Sequence, residues 1–483
     1  MKYIISVDQS TSGTKVALYD ECLNLVRSER LSHRQYYPQP GWMEHDAEEI
    51  WLNTKTLLGK IASSVDRKDI AAVGIANQRE TTVLWERATG KPVCPAVVWQ
   101  DVRAKALTDS LSFHSDYVFR ATGLRLSPYY SAAKASAVLR DNPLIMERAE
   151  KGEICLGTVD SYLLYRLTGG KRFACDISNA GRTQLYDINT LSWSRELCSV
   201  FDIPFEMLSP EVLPSDAAFG EITEVEGLRG VPVCAMMGDS NSAFFAHGCR
   251  EKGSVKASYG TGSSIMMNIG SRPVLSGSGL STSVGFASDG RISYVLEGNV
   301  TSSADTLVWL RDSFGLISSM DELREAEDVD STDGVYLVPA FSGLGAPWFE
   351  EKAKAVIYGM NRGTTKAHVI RAALASIAHQ NADVLDAMKK DTSITIDTLH
   401  ADGGGSVNPL LMQMQSDYVH CRVSVSTESE MTLYGAALMA ALSAGVIDAV
   451  PERGESVIYE PLMSDEKRTD ERKGWIDALK RCC

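Results

Sequence analysis

The chain has 483 residues, 44% hydrophobic and 23% charged, an ordinary globular composition at a length where one core stops growing and two large domains are expected. A formal net charge of −14 with no compensating basic patch excludes nucleic acid or an anionic membrane surface as the main partner. The ten cysteines are scattered without a C-x-x-C pair or nearby histidine spacing, which argues against a zinc site and for reduced thiols; with no leader-like start and no bilayer-length apolar run, a cytoplasmic protein is expected.

Residues 3–19 open the chain as two apolar runs, 3–7 and 16–19, around a turn of hydroxyl, amide and glycine residues, a strand, turn and returning strand. Asp8 stands at the entrance of the turn and Lys15 at its exit. Gln9, Ser10, Thr11, Ser12, Gly13 and Thr14 can aim backbone N–H groups and hydroxyls at one point, a concavity suited to phosphate and its metal; an ordinary polar hairpin is the other reading. A third strand is expected at 25–31. Asp46, followed by Glu48 and Glu49 and by Ile50, Trp51 and Thr54, reads as a capping-box start to an amphipathic helix. The apolar run 70–75 delivers Asn77, Gln78, Arg79, Glu80, Thr81 and Thr82 at its end, where open α/β sheets put their ligands, a solvated loop being the alternative. Residues 97–103 close another strand with Trp99 as an aromatic plate beside Gln100, Asp101 and Arg103, which suits a sugar or polyol and equally a core tryptophan.

A helical Ala/Val/Leu pattern runs to Asn142, and a further helix opens at 157–160 with Asp160 as its cap. The apolar run 231–237 ends in Gly238, Asp239 and Ser240, which makes Asp239 a candidate general base or the N-cap of the next helix. Residues 254–267 then repeat the opening pattern, strand, Tyr259-Gly260-Thr261-Gly262-Ser263-Ser264 turn and returning strand, near the midpoint of the chain. Duplication is the better reading, with two phosphate-cradling hairpins facing each other across a cleft. A helix is expected at 367–389. The Asp402-Gly403-Gly404-Gly405 loop leads into Asn408-Pro409, a strong helix start whose positive end points into the loop; nucleotide or a tight structural turn would each account for it. An Ala-rich helix at 431–443 stops before Gly445. Neither G-x-x-x-x-G-K-[ST] nor G-x-G-x-x-G occurs, so a P-loop or a dinucleotide-binding reading has no support.

Taken in order, Asp8-Gln9-Ser10-Thr11, Tyr37-Pro38-Gln39-Pro40-Gly41-Trp42-Met43-Glu44-His45-Asp46, Asn77-Gln78-Arg79-Glu80-Thr81-Thr82, Gly238-Asp239, Tyr259-Gly260-Thr261-Gly262, Gly343-Leu344-Gly345-Ala346-Pro347 and Asp402-Gly403-Gly404 together resemble the FGGY carbohydrate kinases, and among them the glycerol-phosphorylating members. The likeness runs collinearly from the first residues to Gly445. It implies an α/β protein of two RNase H-like domains of the actin and hexokinase type, 1–248 and 249–483, around a hinged nucleotide cleft. The activity implied is transfer of the γ-phosphoryl group of ATP, with Mg2+, to a hydroxyl of a small polyol or sugar. By motif, Asp239 is the base. Arg79, Glu80, Trp99 and Tyr129 hold the acceptor beside Asp239, Ser240 and Ser264. Asp8 serves the metal, and Thr11, Ser12, Lys15, Thr261, Gly404 and Asn408 serve the nucleotide.

The chain departs from that pattern at five places: Ser10 for a glycine, Lys15 for an arginine, Ser240 for an amide, Ser264 for an apolar aromatic and Ala137 for a tryptophan. The serines at 240 and 264 widen the acceptor wall, so an acceptor longer than glycerol is expected. A xylulokinase-like or erythritol-type kinase is the nearest alternative. A non-metabolic actin-like or chaperone-like ATPase switch is the alternative of a different class, in which Arg79, Glu80 and Asp239 would have no purpose. The partners expected are the small acceptor and, by self-association, a homodimer or homotetramer.

Overall fold

The computed structural model describes residues 1–428, 430–451 and 456–482. The first half builds a six-stranded sheet from β1 (Tyr3–Gln9), β2 (Gly13–Tyr19), β3 (Leu25–Ser32), β4 (Ile70–Asn77), β5 (Gly220–Glu221) and β6 (Pro232–Gly238), in the order β5-β6-β4-β1-β2-β3. The second half builds a seven-stranded sheet from β7 (Val255–Tyr259), β8 (Ser263–Gly270), β9 (Ser281–Ser288), β10 (Arg291–Val300), β11 (Thr398–Asp402), β12 (Arg422–Ser426) and β13 (Ser456–Tyr459), in the order β9-β10-β8-β7-β11-β12-β13.

One plan generates both sheets. A central antiparallel hairpin (β1–β2, β7–β8) carries a third antiparallel strand on one side (β3, β10) and two parallel strands on the other (β4 and β6, β11 and β12). The loose likeness between residues 6–18 and 254–267 is therefore a likeness of position. β1 and β4 are buried along nearly their whole length, as parallel strands covered on both faces must be. β3 is largely exposed and carries Arg27, Glu29 and Arg30, charges that keep an edge strand from recruiting another chain.

Eight helices frame the site: α1 (Ala47–Ala62), α2 (Ser131–Asp141), α3 (Val159–Leu167), α4 (Asp239–Ala246), α5 (Asp305–Asp312), α6 (Lys366–Thr392), α7 (Pro409–Val419) and α8 (Met431–Ser443). The start of α1 is half of the expected capping box: Asp46 accepts the Glu48 N–H, whereas Glu49 accepts the backbone N–H of Arg34. The N-cap of α3 is Thr158. Asp160 is the second helical residue, two past the cap, where it accepts from the Thr158 hydroxyl (2.5 Å) and the Asp176 N–H (2.9 Å). The strand expected at 97–103 shrinks to Ala96–Val97, because the chain turns at Asp101, whose N–H bonds the Val98 carbonyl.

α8 is apolar on nearly all sides, and the fold uses it so. It belongs to the second half of the sequence, yet it packs on β1, β4, β6 and α4 of the first. Leu433, Ala437, Leu438 and Ala441 join Ile4, Ala72, Ala235 and Met237 in one core. Two glycines permit the approach: a Cβ on Gly74 would lie 2.2 Å from the Ala436 carbonyl oxygen, and one on Gly435 would lie 2.0 Å from that of Ser242. No helix among the described residues is long and apolar enough to cross a membrane.

Candidate active site

Gln9, Asn77 and Gly238 lie level across β1, β4 and β6, so three parallel strands end together and present Asp8, residues 78–82 and Asp239 at their carboxyl ends, the usual ligand edge of such sheets. Asp8 is buried and its Oδ1 has no hydrogen-bond partner. Burial and then the charge of Asp239 push its carboxyl up to about 7, against the pull of Lys15. Asp239 is the first residue of α4, behind Gly238 at the N-cap, so its side chain is not the cap. It accepts the Ser240 N–H at 2.6 Å and lies 3.7 Å from Arg79 Nε, with a third of its side chain exposed. Burial raises its carboxyl as well, with Arg79 opposing. The bare, buried oxygen of Asp8, its carboxylate crowded by that of Asp239, is a donor suited to a hard divalent cation, with phosphate oxygens and water filling the other positions.

Beside Asp239 runs a buried chain of charges. Arg79 donates two bonds to Glu297 (2.8 and 2.7 Å). Arg182 donates through Nε to Glu80 Oε1 (2.5 Å) and lies 3.0 Å from Glu297 in an ion pair too bent for a hydrogen bond. Burial alone would raise the Glu297 carboxyl, but the two guanidinium groups hold it well below the usual range. The bidentate pairing fixes the Arg79 plane. Glu80 takes a left-handed backbone (φ 59°) unusual for a side-chain-bearing residue, strain that recurs at binding sites; Ser131 and Thr82 hydroxyls both donate to its carbonyl. Far from being a solvated loop, residues 77–82 are all buried. Asn77 exchanges amide bonds with Asn179, and Gln78 Nε2 donates to Gln9 Oε1 at 3.0 Å.

The aromatic wall follows. The Trp99 and Tyr129 rings meet edge to face at 5.7 Å, and Trp99 Nε1 donates to Thr11 Oγ1 at 2.9 Å, which ties the aromatic pair to the first hairpin turn. Lys134 is fully buried beneath this loop and donates to the carbonyls of Pro128 (3.0 Å) and Tyr129; burial pushes its ammonium down to about 7. The 37–46 motif braces the same turn. Gln35 donates to the Thr11 carbonyl (2.6 Å), and His45, pushed down to about 3 by burial and by His33, sits neutral between Gln35 and Gln78. Ser240 is half-buried, and Ser264 Oγ is buried without a partner.

The two hairpin turns are built alike. Gly13 and Gly262 each lie so close to the next strand that a Cβ would sit 2.5 Å from the Leu31 carbonyl oxygen or 2.4 Å from that of Val300. Ser12 and Thr261 are exposed at the turns, and Thr261 O accepts the Ser303 N–H. Gly404 faces open space. Asn408 caps α7 by accepting the Leu411 N–H at 2.9 Å, with Pro409 as the first helical residue. Lys15 does not face into the turn unpaired: its Nζ binds Glu430 at 2.7 and 2.8 Å, spanning the two halves. Asp402, just before the glycine loop, accepts from the Ser258 hydroxyl of β7 and pairs with His247 at 2.7 Å.

Glu297 and Arg182 are the site residues that sequence reasoning missed. Glu297 had a signal: it is the one charge inside the apolar stretch 292–300, and a carboxylate buried in a strand is almost always paired. Arg182 had none, since its partners lie 102 and 115 positions away.

Comparison with known proteins adds an independent line. The N-terminal domain model of the FGGY family of carbohydrate kinases matches residues 3–246, and the C-terminal domain model matches residues 255–444. The chain is 42% identical to the glycerol kinase of Shewanella pealeana over 490 residues, covering 99% of each, and 42% identical to glycerol kinase 1 of Thermotoga maritima over 489 residues, again covering 99% of each. Among solved structures it is similar to Plasmodium falciparum glycerol kinase with ADP, at a TM-score of 0.95 and 34% identity over 100% of this chain and 98% of that one. A xylulose kinase from Lactobacillus acidophilus shares the fold at a TM-score of 0.89 and 19% identity, over 100% and 98% of the two chains.

Proposed function

The chain belongs to the FGGY family of carbohydrate kinases and is an ATP-dependent kinase of a small polyol or sugar; from that premise we propose that its preferred acceptor is a linear polyol or ketose one or two carbons longer than glycerol. The observation that carries the reading is Ser264, whose buried hydroxyl has no partner; the family resemblance puts this residue in the acceptor pocket. A hydrogen-bonding group left unpaired in a site penalises every acceptor too short to reach it. Ser240, short and half-buried, leaves further room beside Asp239.

In this mechanism Arg79, held flat by Glu297, and Glu80, held by Arg182, grip adjacent acceptor hydroxyls, and Trp99 and Tyr129 cover the carbon chain. Asp239 Oδ accepts the proton of the attacking hydroxyl, and its raised affinity for protons suits that task. Asp8 would hold Mg2+, which supplies neutralisation of the charge on the phosphate oxygens. The two hairpin turns, with Thr11 and Thr261, would cradle the phosphates from opposite sides, and the 403–408 loop would receive the rest of the nucleotide. A cytoplasmic setting, where ATP is made available, belongs to the same proposal.

A second reading has its own support: 42% identity along the whole chain to glycerol kinases favours glycerol itself. Measuring kcat/KM for glycerol, erythritol, threitol, erythrulose, xylitol and xylulose at fixed Mg-ATP separates the two. At least one four- or five-carbon acceptor is expected to match or exceed glycerol. Glycerol ahead of all of them would leave the second reading standing.

A further inference from the structure

Along β10 the side chains of Glu297 and Asn299 share one face. Glu297 is the buried carboxylate that braces Arg79 and Arg182. Asn299, two residues on, is exposed, and its Nδ2 donates to Glu297 Oε1 at 3.3 Å. Across the antiparallel ladder Asn299 registers with Ser264 on β8, the serine whose hydroxyl is buried and unpartnered. Side chains opposed in this way lie about 5 Å apart at Cβ, a gap that one hydroxyl group can bridge.

We propose that Asn299 and Ser264 form a subsite for a hydroxyl of the acceptor beyond those gripped by Arg79 and Glu80, so that Asn299 sets the length of polyol or ketose the enzyme prefers. The donor and acceptor inventory fits. With one amide N–H spent on Glu297, Asn299 Oδ1 is left to accept, and Ser264 Oγ–H is left to donate. A ligand hydroxyl does the reciprocal, giving its proton to Asn299 and taking one from Ser264. A hydrogen atom or methyl group in its place satisfies neither. The position is also consistent with the chemistry: Asn299 touches the carboxylate that holds Arg79, and Arg79 lies 3.7 Å from Asp239, so the subsite is two side chains removed from the base rather than beside it.

This inference rests on the longer-acceptor reading, and the test separates the two. The ratio of kcat/KM for erythritol, and for xylitol, to that for glycerol is measured for the wild-type enzyme, Asn299→Ala, Ser264→Ala and Ser264→Phe at fixed Mg-ATP. The wild-type ratio for at least one longer acceptor is expected at or above one. Each alanine variant should lower that ratio by about tenfold or more, chiefly through KM for the longer acceptor. Ser264→Phe should lower it further by filling the space. If Asn299 acted only by steadying Glu297, turnover of long and short acceptors would fall together and the ratio would hold, which overturns the subsite. A wild-type ratio below one for every longer acceptor overturns the reading beneath it; a ratio above one that neither alanine variant changes overturns the subsite alone.

Discussion

The Asp8 carboxyl feels the charge of Asp239, and the two differ in what a neutral amide would do to them. Asp239→Asn removes the group proposed to accept the hydroxyl proton, a loss that typically costs about 10²–10⁴ in rate. ATP binding measured by calorimetry should stay near the wild-type value. Near-normal phosphorylation by this variant would remove Asp239 from the role of base. Asp8→Asn should also destroy activity, but it should stabilise the metal-free fold. The folded Asp8 carboxyl titrates at about 7 against 3.8 for the free group, so the folded state holds a proton that the unfolded state releases. Stability is thereby lost as pH rises from about 4 to 7, by an amount on the order of a few kcal/mol. Thermal denaturation in a chelator should therefore show Asp8→Asn melting a few degrees above wild type at pH 8, with the gap closing by pH 4. An equal gap at both pH values would mean that Asp8 is not the source. At this scale the sequence was only partly legible. Asp8, Arg79, Glu80 and Asp239 could be singled out because they stand in ordered motifs at strand ends. The opposite charges that fix Arg79 and Glu80 were not, because Glu297 and Arg182 meet them only after the chain has folded back over more than a hundred residues.

Among the elements, the two hairpins were readable because the constraint on them is local. Gly13 and Gly262 are each required by the carbonyl of the adjoining strand, and the flanking apolar runs announce the strands. The capping residues of α1 and α3 were misread by one partner and by two positions respectively, since several acidic and hydroxyl side chains compete there and only the backbone direction decides between them. The proposed placement of both hairpin turns on the phosphates bears on function. Thr261 is exposed at the second turn while its carbonyl is held by the Ser303 N–H, so Thr261→Val should leave the turn intact and remove one hydroxyl. The expected result is a KM for ATP raised about tenfold, with the order of preference among acceptors unchanged. An acceptor profile that shifted as far as the ATP affinity would move Thr261 out of the nucleotide side.

For the molecule as a whole, the sequence suggested two consecutive halves, and the twin sheets follow that division. What it could not reveal is where α8 packs. An Ala-rich helix with no polar face announces burial without naming the surface that buries it. In the fold it covers β1, β4 and β6, and the Leu433, Ala437 and Ala441 side chains seal a core that begins at Ile4. Residues 1–248 produced alone would expose that apolar face, so they should aggregate or lose cooperative unfolding. Adding 249–483 during refolding should restore solubility. A soluble 1–248 fragment with a sharp thermal transition would show that the first sheet does not need α8.

The hydrogen bond from the Trp99 indole to Thr11 Oγ1 gives the enzyme a built-in optical reporter. If Thr11 donates its hydroxyl proton to a nucleotide phosphate as proposed, the indole bonded to that same oxygen changes its emission, so intrinsic fluorescence should respond to nucleotide alone, before any acceptor is present. Subtracting the signal of Trp99→Phe from the wild-type spectrum would isolate this ring from the other seven tryptophans and let occupancy of the phosphate turn be followed during turnover without a label.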